Sequence, residues 1–239
     1  MKTDDLDFRE LFDFAPDGGP LFFAGSRAVL MDAVAFGLLR RQLIEGFGEA
    51  PTRVVLTQMG FAHGWRTAKG LRHQFPWDSE EDWRLAGARL HMLQGMMRVE
   101  IDDWSGPGPE PFAHSWWHDS YEAEQHLMQR GPSETPVCWT LTGFASGYMS
   151  YVNDERIYCL ETACLGCGDE ACRVVGKRRG SWSDERQEVI DELYAPDALD
   201  GAIERVVAEV AEADGEWATR RQMLSALAGG EEVPADMVV

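Results

Sequence analysis

The sequence predicts an α+β fold, mixed helices with a mainly antiparallel sheet and a small metal-binding lobe. Three observations lead to that expectation. Stretches with apolar residues at helical spacing alternate with short strand-like pieces at 98–101, 156–160 and 172–176. Five cysteines, at 138, 159, 164, 167 and 172, fall within 35 residues of one another. The chain has 239 residues, 44% of them apolar, enough to bury a core as one large domain or two small ones.

Residues 1–25 hold Phe8, Phe12, Phe14, Leu21, Phe22 and Phe23 around an Asp-Gly-Gly-Pro turn, and read as an arm that must bury its aromatics against something else. Ser26 is placed to cap a helix running to about Gly46. Its apolar positions 29, 30, 33, 36, 37, 39, 43 and 44 cover a wide face, so burial on more than one side is expected. Residues 53–56 fit a short strand or a helix start, and 57–74 fit a helix. Pro76-Trp77-Asp78 is a break, after which Ser79 and Asp82 make a capping pair for an amphipathic stretch containing Trp83, Leu85, Leu90, Leu93 and Met97. Residues 105–111 are a loop by composition, and Asp119 or Ser120 caps a helix to about Gln129. The glycine spacing of Gly143-Phe-Ala-Ser-Gly147 fits a helix packed closely on a neighbour, or a turn. Lys177-Arg178-Arg179 reads as a solvated turn. A heptad-like seam at 203, 206, 210, 213, 217, 224 and 227 fits a dimerising or signalling helix, or one folded on its own domain, and the tail after Gly230 is expected to be disordered.

Charge narrows the function classes. Acidic residues outnumber basic ones by 41 to 22, a formal charge of −19, which argues against nucleic acid or an anionic membrane as a partner of the bulk surface. No apolar run approaches the roughly 20 residues of a membrane helix, and the acidic start lacks the order of a secretory signal. The chain reads as cytoplasmic. In a reducing compartment, clustered cysteines suggest a metal site more than a disulfide framework. Cys164-Leu-Gly-Cys167 is a knuckle-like CxxC, with Cys172 five residues on, Cys138 upstream and Glu161 three residues before Cys164. Spacing leaves open which four groups bind.

Further motifs occur in order. They are Ala35-Phe-Gly-Leu-Leu-Arg-Arg41, Met59-Gly-Phe-Ala62, Leu90-His-Met-Leu-Gln-Gly95, Trp117-His-Asp-Ser-Tyr-Glu-Ala-Glu124, Cys138-Trp139, Gly143-Phe-Ala-Ser-Gly147, Glu161-Thr-Ala-Cys164 and Gly168-Asp-Glu-Ala-Cys172. Together they resemble the aromatic-effector sensor domain of sigma-54-dependent activators of the XylR and DmpR type, responsive to phenols or methylbenzenes. The second half resembles the associated vinyl-4-reductase domain, and the resemblance spans roughly residues 8–195.

That resemblance implies zinc held by Cys138, Glu161, Cys164 and Cys172, with Cys159 and Cys167 as additional thiols and Cys167 the alternative to Glu161. It implies a structural role for the ion in a small zinc-binding lobe, since four filled positions leave no open site for chemistry. It also implies an effector pocket with His91 and Trp117 as its polar pair. A phenol sensor must bury a ring and satisfy one hydroxyl; indole N–H donates and imidazole accepts. Further wall candidates are Trp83, Leu93, Met96, Val99, Phe112 and Tyr158. Cys159 stands near where relatives often place a pocket aromatic, which would admit a bulkier ring. His118 is expected to be exposed beside its cap.

The resemblance divides the chain into an arm and dimerisation helix (1–50), an effector-binding region (51–135), a zinc-binding region (136–195) and a linker helix with its tail (196–239). Such sensors restrain an ATPase module that is followed by a DNA-binding helix pair. This sequence has neither a GxxxxGK[ST] loop nor a basic helix pair, so it reads as a truncated piece or a stand-alone sensor. The expected partners are a small aromatic effector and a second copy of the chain, with the ATPase and DNA-binding domains in a full-length protein. A sensor for toluene or xylene and a zinc-dependent enzyme are the alternatives.

Overall fold

The computed structural model describes residues 1–14, 19–23, 26–104 and 112–196. The loop at 105–111, the seam at 203–227 and the tail lie outside them. Its centre is the crossing of two helices, α3 (Glu49–Gln74) and α6 (Trp139–Asn153). Both carry glycines four residues apart at the crossing, and the backbones interlock there. A Cβ on Gly60 would lie 2.2 Å from the Thr140 carbonyl oxygen, and one on Gly64 2.0 Å from that of Phe144. Reciprocally, one on Gly143 would lie 2.1 Å from the Thr57 oxygen and one on Gly147 1.9 Å from that of Phe61. Only residues without a side chain allow this approach. The glycine-spaced motif is therefore a close-packed helix, not a turn.

The N-terminal arm contains the short helix α1 (Phe8–Leu11) and the strands β1 (Phe12–Phe14), β2 (Leu21–Phe23) and β3 (Ser26–Ala28), paired antiparallel in that order. It buries part of its apolar surface on its own chain, while Phe14 stays exposed. Leu6, Leu11 and Phe23 join Ala68 and Leu71 of α3 with Trp83 and Leu90 of α4 (Glu80–Leu93). Thr3 fastens the arm to α4 by donating to the Asp82 carbonyl at 2.7 Å. Helix α4 begins on the expected pair, with the Asp82 N–H donating to Ser79 Oγ at 3.1 Å.

Helix α2 (Ala33–Phe47) starts later than expected. Ser26 lies in a strand, and the cap is Asp32, whose carboxylate accepts from the Ala35 N–H at 2.8 Å. Nor is the wide apolar face buried: α2 buries Gly37, Arg40 and Ile44, whereas Val34, Phe36, Leu38, Leu39 and Phe47 are exposed. Gly48, at φ 91°, ends the helix and α3 follows at once, so residues 53–56 are helical.

The second half is a four-stranded antiparallel sheet in the order β4 (Arg98–Trp104), β5 (Phe112–His118), β7 (Cys172–Lys177), β6 (Tyr158–Ala163). Between β5 and α6 runs α5 (Tyr121–Arg130), capped by Ser120, and α7 (Asp184–Tyr194) closes the described chain. Arg179 of the basic turn pairs with Asp191 of α7 at 2.7 Å. The expected small lobe is not separate: Cys138, Cys164 and Cys172 are fully buried in one cluster with Trp117, Val137 and Leu141.

A buried ion pair fixes the start of α6. Glu122 of α5 receives Arg40 of α2 at 3.0 Å and accepts the Thr140 and Leu141 N–H groups at 3.1 and 3.0 Å. Arg40 also donates to the Val137 carbonyl at 2.7 Å and stacks 3.7 Å from the Trp139 ring. Helix N-terminal amides satisfied by a carboxylate are what keep this charge tolerable in the interior.

The interlock makes a direct prediction. Gly147→Ala puts a methyl 1.9 Å from the Phe61 oxygen, so the helices must part and the unfolding free energy falls; the loss expected from urea unfolding is about 3 kcal/mol. Gly46→Ala in α2 meets nothing within 4 Å, so it serves as the control; it should stabilise by about 0.5 kcal/mol. A Gly147→Ala chain as stable as its parent would contradict the interlock.

Candidate ligand cavity and metal centre

Between α4, α6 and the sheet lies a hollow of about 90 Å³. Each wall follows from its element's period. Residues 84, 87, 88 and 91 of α4 recur on one helical face, as do 144, 145, 148 and 149 of α6. Val99 and Ile101 of β4, with Ala113, Ser115 and Trp117 of β5, alternate onto one face of the sheet. Gly87 lets the Tyr148 ring approach α4, where the Tyr148 hydroxyl donates to the Trp83 carbonyl at 2.7 Å.

His91 is a deeply buried polar group in this largely apolar wall. It is 5% exposed, edges against the Phe144 ring at 4.1 Å, and neither ring nitrogen has a hydrogen-bond partner. Burial, and then the nearby His63, lower its pKa to about 3, so the imidazole is neutral and offers one donor and one acceptor. Trp117, 3% exposed, lines the same hollow, but its Nε1–H is already given to Ser115 Oγ at 3.0 Å.

Of the other wall candidates, Val99 lines the hollow and five do not. Trp83 faces α3, donating to the Ala68 carbonyl at 3.0 Å with Arg72 over its ring. Leu93 packs with the arm and Met96 with the cysteine side of the core. Tyr158 packs edge-on against Tyr194, and Cys159 stands one layer back, its Sγ 3.6 Å from Met149 Sδ. Phe112 begins β5, and its side chain lies outside the described residues. His118 is half-buried, 3.4 Å from Glu100, rather than exposed. Sequence reasoning missed Ser115, Phe144, Tyr148 and Met149; the periods of β5 and α6 would have given them, had both elements been assigned.

The second feature is a buried quartet. One ligand atom each from Cys138, Glu161, Cys164 and Cys172 lies within 4.8 Å of all the others. Sγ–Sγ distances are 3.6 Å for Cys138–Cys172 and 3.9 Å for Cys164–Cys172. A tetrahedral ion with metal–sulfur bonds of ~2.3 Å would hold its sulfurs roughly 3.8 Å apart, so the spacing fits. Cys138 arrives at the N-terminus of α6, Glu161 near the end of β6, Cys164 just after it, and Cys172 opens β7. Cys167 is not among the four.

The electrostatics favour a cation here. Burial, and then the Cys164 charge, push the Glu161 carboxyl up to about 8, and its Oε1 has no partner. Hydrogen bonds from the Cys138 and Cys172 thiols hold Cys164 well below the ordinary thiol value, whereas burial above all drives Cys138 upward. A bound cation would stabilise the deprotonated forms of the three sulfurs and the carboxylate together.

The XylR_N family, described as activator of aromatic catabolism, matches residues 7–105, and the vinyl-4-reductase domain family matches residues 117–178. The phenol regulator MopR of Acinetobacter guillouiae is 32% identical over 209 residues, covering 85% of this chain and 37% of that protein. The transcriptional regulatory protein XylR of Pseudomonas putida is 30% identical over 205 residues, covering 81% of this chain and 36% of that protein. The chain thus spans little more than a third of either relative. Among solved structures, the phenol-responsive sensory domain of the transcription activator PoxR, crystallised with phenol, superposes with a TM-score of 0.69 at 30% identity. That match covers 76% of this chain and 92% of the PoxR domain. The chain belongs to the family of aromatic-effector sensor domains of XylR-type transcriptional activators.

Proposed function

We propose that this domain senses a small hydroxylated aromatic, with phenol as the simplest, and that His91 is the residue reading the hydroxyl. The observation that carries this reading is a buried, neutral imidazole with both nitrogens unpartnered on a largely apolar hollow. A buried polar group without a partner costs about 1–3 kcal/mol, which a guest hydroxyl relieves by donating to one nitrogen. Trp117 supplies the second contact when its N–H turns from Ser115 to the guest oxygen. A dry cavity of about 150 Å³ holds benzene, so a ring enters this smaller hollow as the flexible Met97 and Met149 side chains shift outward. The phenol bound by the PoxR domain supports this choice over toluene or xylene.

Zinc is the metal the quartet fits best, because three thiolates and a carboxylate in a closed tetrahedron are its ordinary structural ligands. Cys138, Glu161, Cys164 and Cys172 would hold it, fastening β6, β7 and the start of α6 together. The exposed apolar side chains of α2 and of Val29, Leu30 and Met31 before it would be covered by a second copy, making a dimer through the arm and helix. In this reading residues 1–50 dimerise, 51–135 supply most of the effector wall, 136–195 hold the zinc, and 196–239 lead onward. In a full-length, cytoplasmic, sigma-54-dependent activator, effector binding would relieve restraint on a downstream ATPase whose partner domain binds DNA.

Calorimetric titration tests the effector reading. His91→Ala should weaken phenol binding by roughly ten- to a hundredfold and leave toluene nearly unchanged. Phenol affinity of the parent should stay flat from pH 5.5 to 8.5, because His91 is neutral throughout; loss of affinity toward pH 6 would contradict its lowered pKa. For the metal, elemental analysis should find one zinc per chain, kept by Cys167→Ser but lost from Cys172→Ser together with thermal stability. Zinc lost from Cys167→Ser would instead make Cys167 a ligand. For the dimer, sedimentation should give two copies for the parent and one for a Leu30→Asp, Leu39→Asp variant; a monomeric parent refutes the dimer.

A further inference from the structure

Beside the effector hollow, a second groove of about 230 Å³ opens between β3, the middle of α3 and the end of α4. Its floor is apolar, made by Phe23, Leu71 and Leu90, and its rim carries Arg27 and Arg66. No carboxylate lines it among the described residues, although acidic residues outnumber basic ones by 41 to 22 in this chain. Several arginines elsewhere are paired with acids, among them Arg40 with Glu122, Arg41 with Glu45, Arg72 with Glu80 and Arg179 with Asp191. Among the described residues Arg66 has no ion pair, and the side-chain contact of Arg27 is a stacking on Phe22 at 6.0 Å. Gln94, which also lines the groove, has a buried Oε1 with no donor. His63 adds no charge of its own, because burial and then Arg66 keep its pKa low.

We propose that this groove is a second binding site, for a small organic carboxylate with an apolar body. Arg27 and Arg66 take the carboxylate, Phe23, Leu71 and Leu90 take the body, and Gln94 Oε1 accepts from any hydroxyl on it. Two guanidinium groups with no ion pair among the described residues supply charge-assisted hydrogen bonds to one anionic group. The apolar floor disfavours a fully hydrated dianion such as phosphate. The site is distinct from the effector hollow. His63 on the groove side and His91 on the hollow side each meet the ring of Phe144, at 5.0 and 4.1 Å. The proposal does not depend on what the hollow binds.

Calorimetric titration of the intact chain with benzoate tests it. One benzoate per chain should bind, and an Arg27→Ala, Arg66→Ala variant should bind it about tenfold more weakly or worse. Benzamide, which keeps the ring and loses the charge, should bind at least as poorly to the parent. Both arginines are exposed, so the variant should keep the parent's unfolding midpoint and its affinity for phenol. Absence of benzoate binding overturns the proposal, as does binding unaffected by the double substitution. Equal affinity for benzamide or inorganic phosphate also overturns it, and so does a matching loss of phenol affinity, which would make the two cavities one site.

Discussion

The structure depends on how closely α3 and α6 approach. Four glycines bring the two backbones to carbonyl contact, and this fixes the height and rotation of α6 over the sheet. Phe144, Ala145, Tyr148 and Met149 then face β4 and β5 at the distance that leaves a hollow. A helix held by ordinary side-chain packing would stand about 8–10 Å away and could slide by rotamer exchange. One held by backbone contact has no such slack. Cys138, at the N-terminus of α6, is placed by the same contact, so the cavity wall and the metal quartet share one support.

The sheet joins them a second time. In β5, Trp117 lies directly opposite Val99 of β4 on one side and Cys172 of β7 on the other. A wall residue of the hollow is therefore the cross-strand neighbour of a quartet ligand. A one-residue slip would turn Trp117 to the wrong face and displace Cys172 at the same time. The Arg40–Glu122 pair adds a third tie, from α2 through α5 to the first amides of α6. Broken on one side, it would leave a charge stranded in the interior, so the pair specifies position more than it adds stability.

Much of this was legible in the sequence because local chemistry decides it. Ser79 and Asp82 cap α4 through their own side chains, whereas the four groups that meet across two strands and a helix start are indicated by the family motif, the spacing alone leaving them open. Strand β5 was not legible. Its outward residues are the half-buried His114 and Trp116, large rings on the face opposite Ser115 and Trp117, so the strand shows no polar–apolar alternation to announce it. The misplaced start of α2 has a similar cause: Ser26 and Asp32 both qualify as caps, and pairing of Ser26 with Phe23 decides between them. Trp83, a wall candidate by sequence, faces α3 instead, because the arm and α3 claim that side of α4.

The solitary imidazole also has a bearing on how such a domain evolves. Replacing His91 with leucine would remove two orphaned polar atoms from the interior and, in the proposed reading, leave a sturdier fold that no longer reads a hydroxyl. On that reading, thermal robustness and chemical acuity pull in opposite directions at a single position.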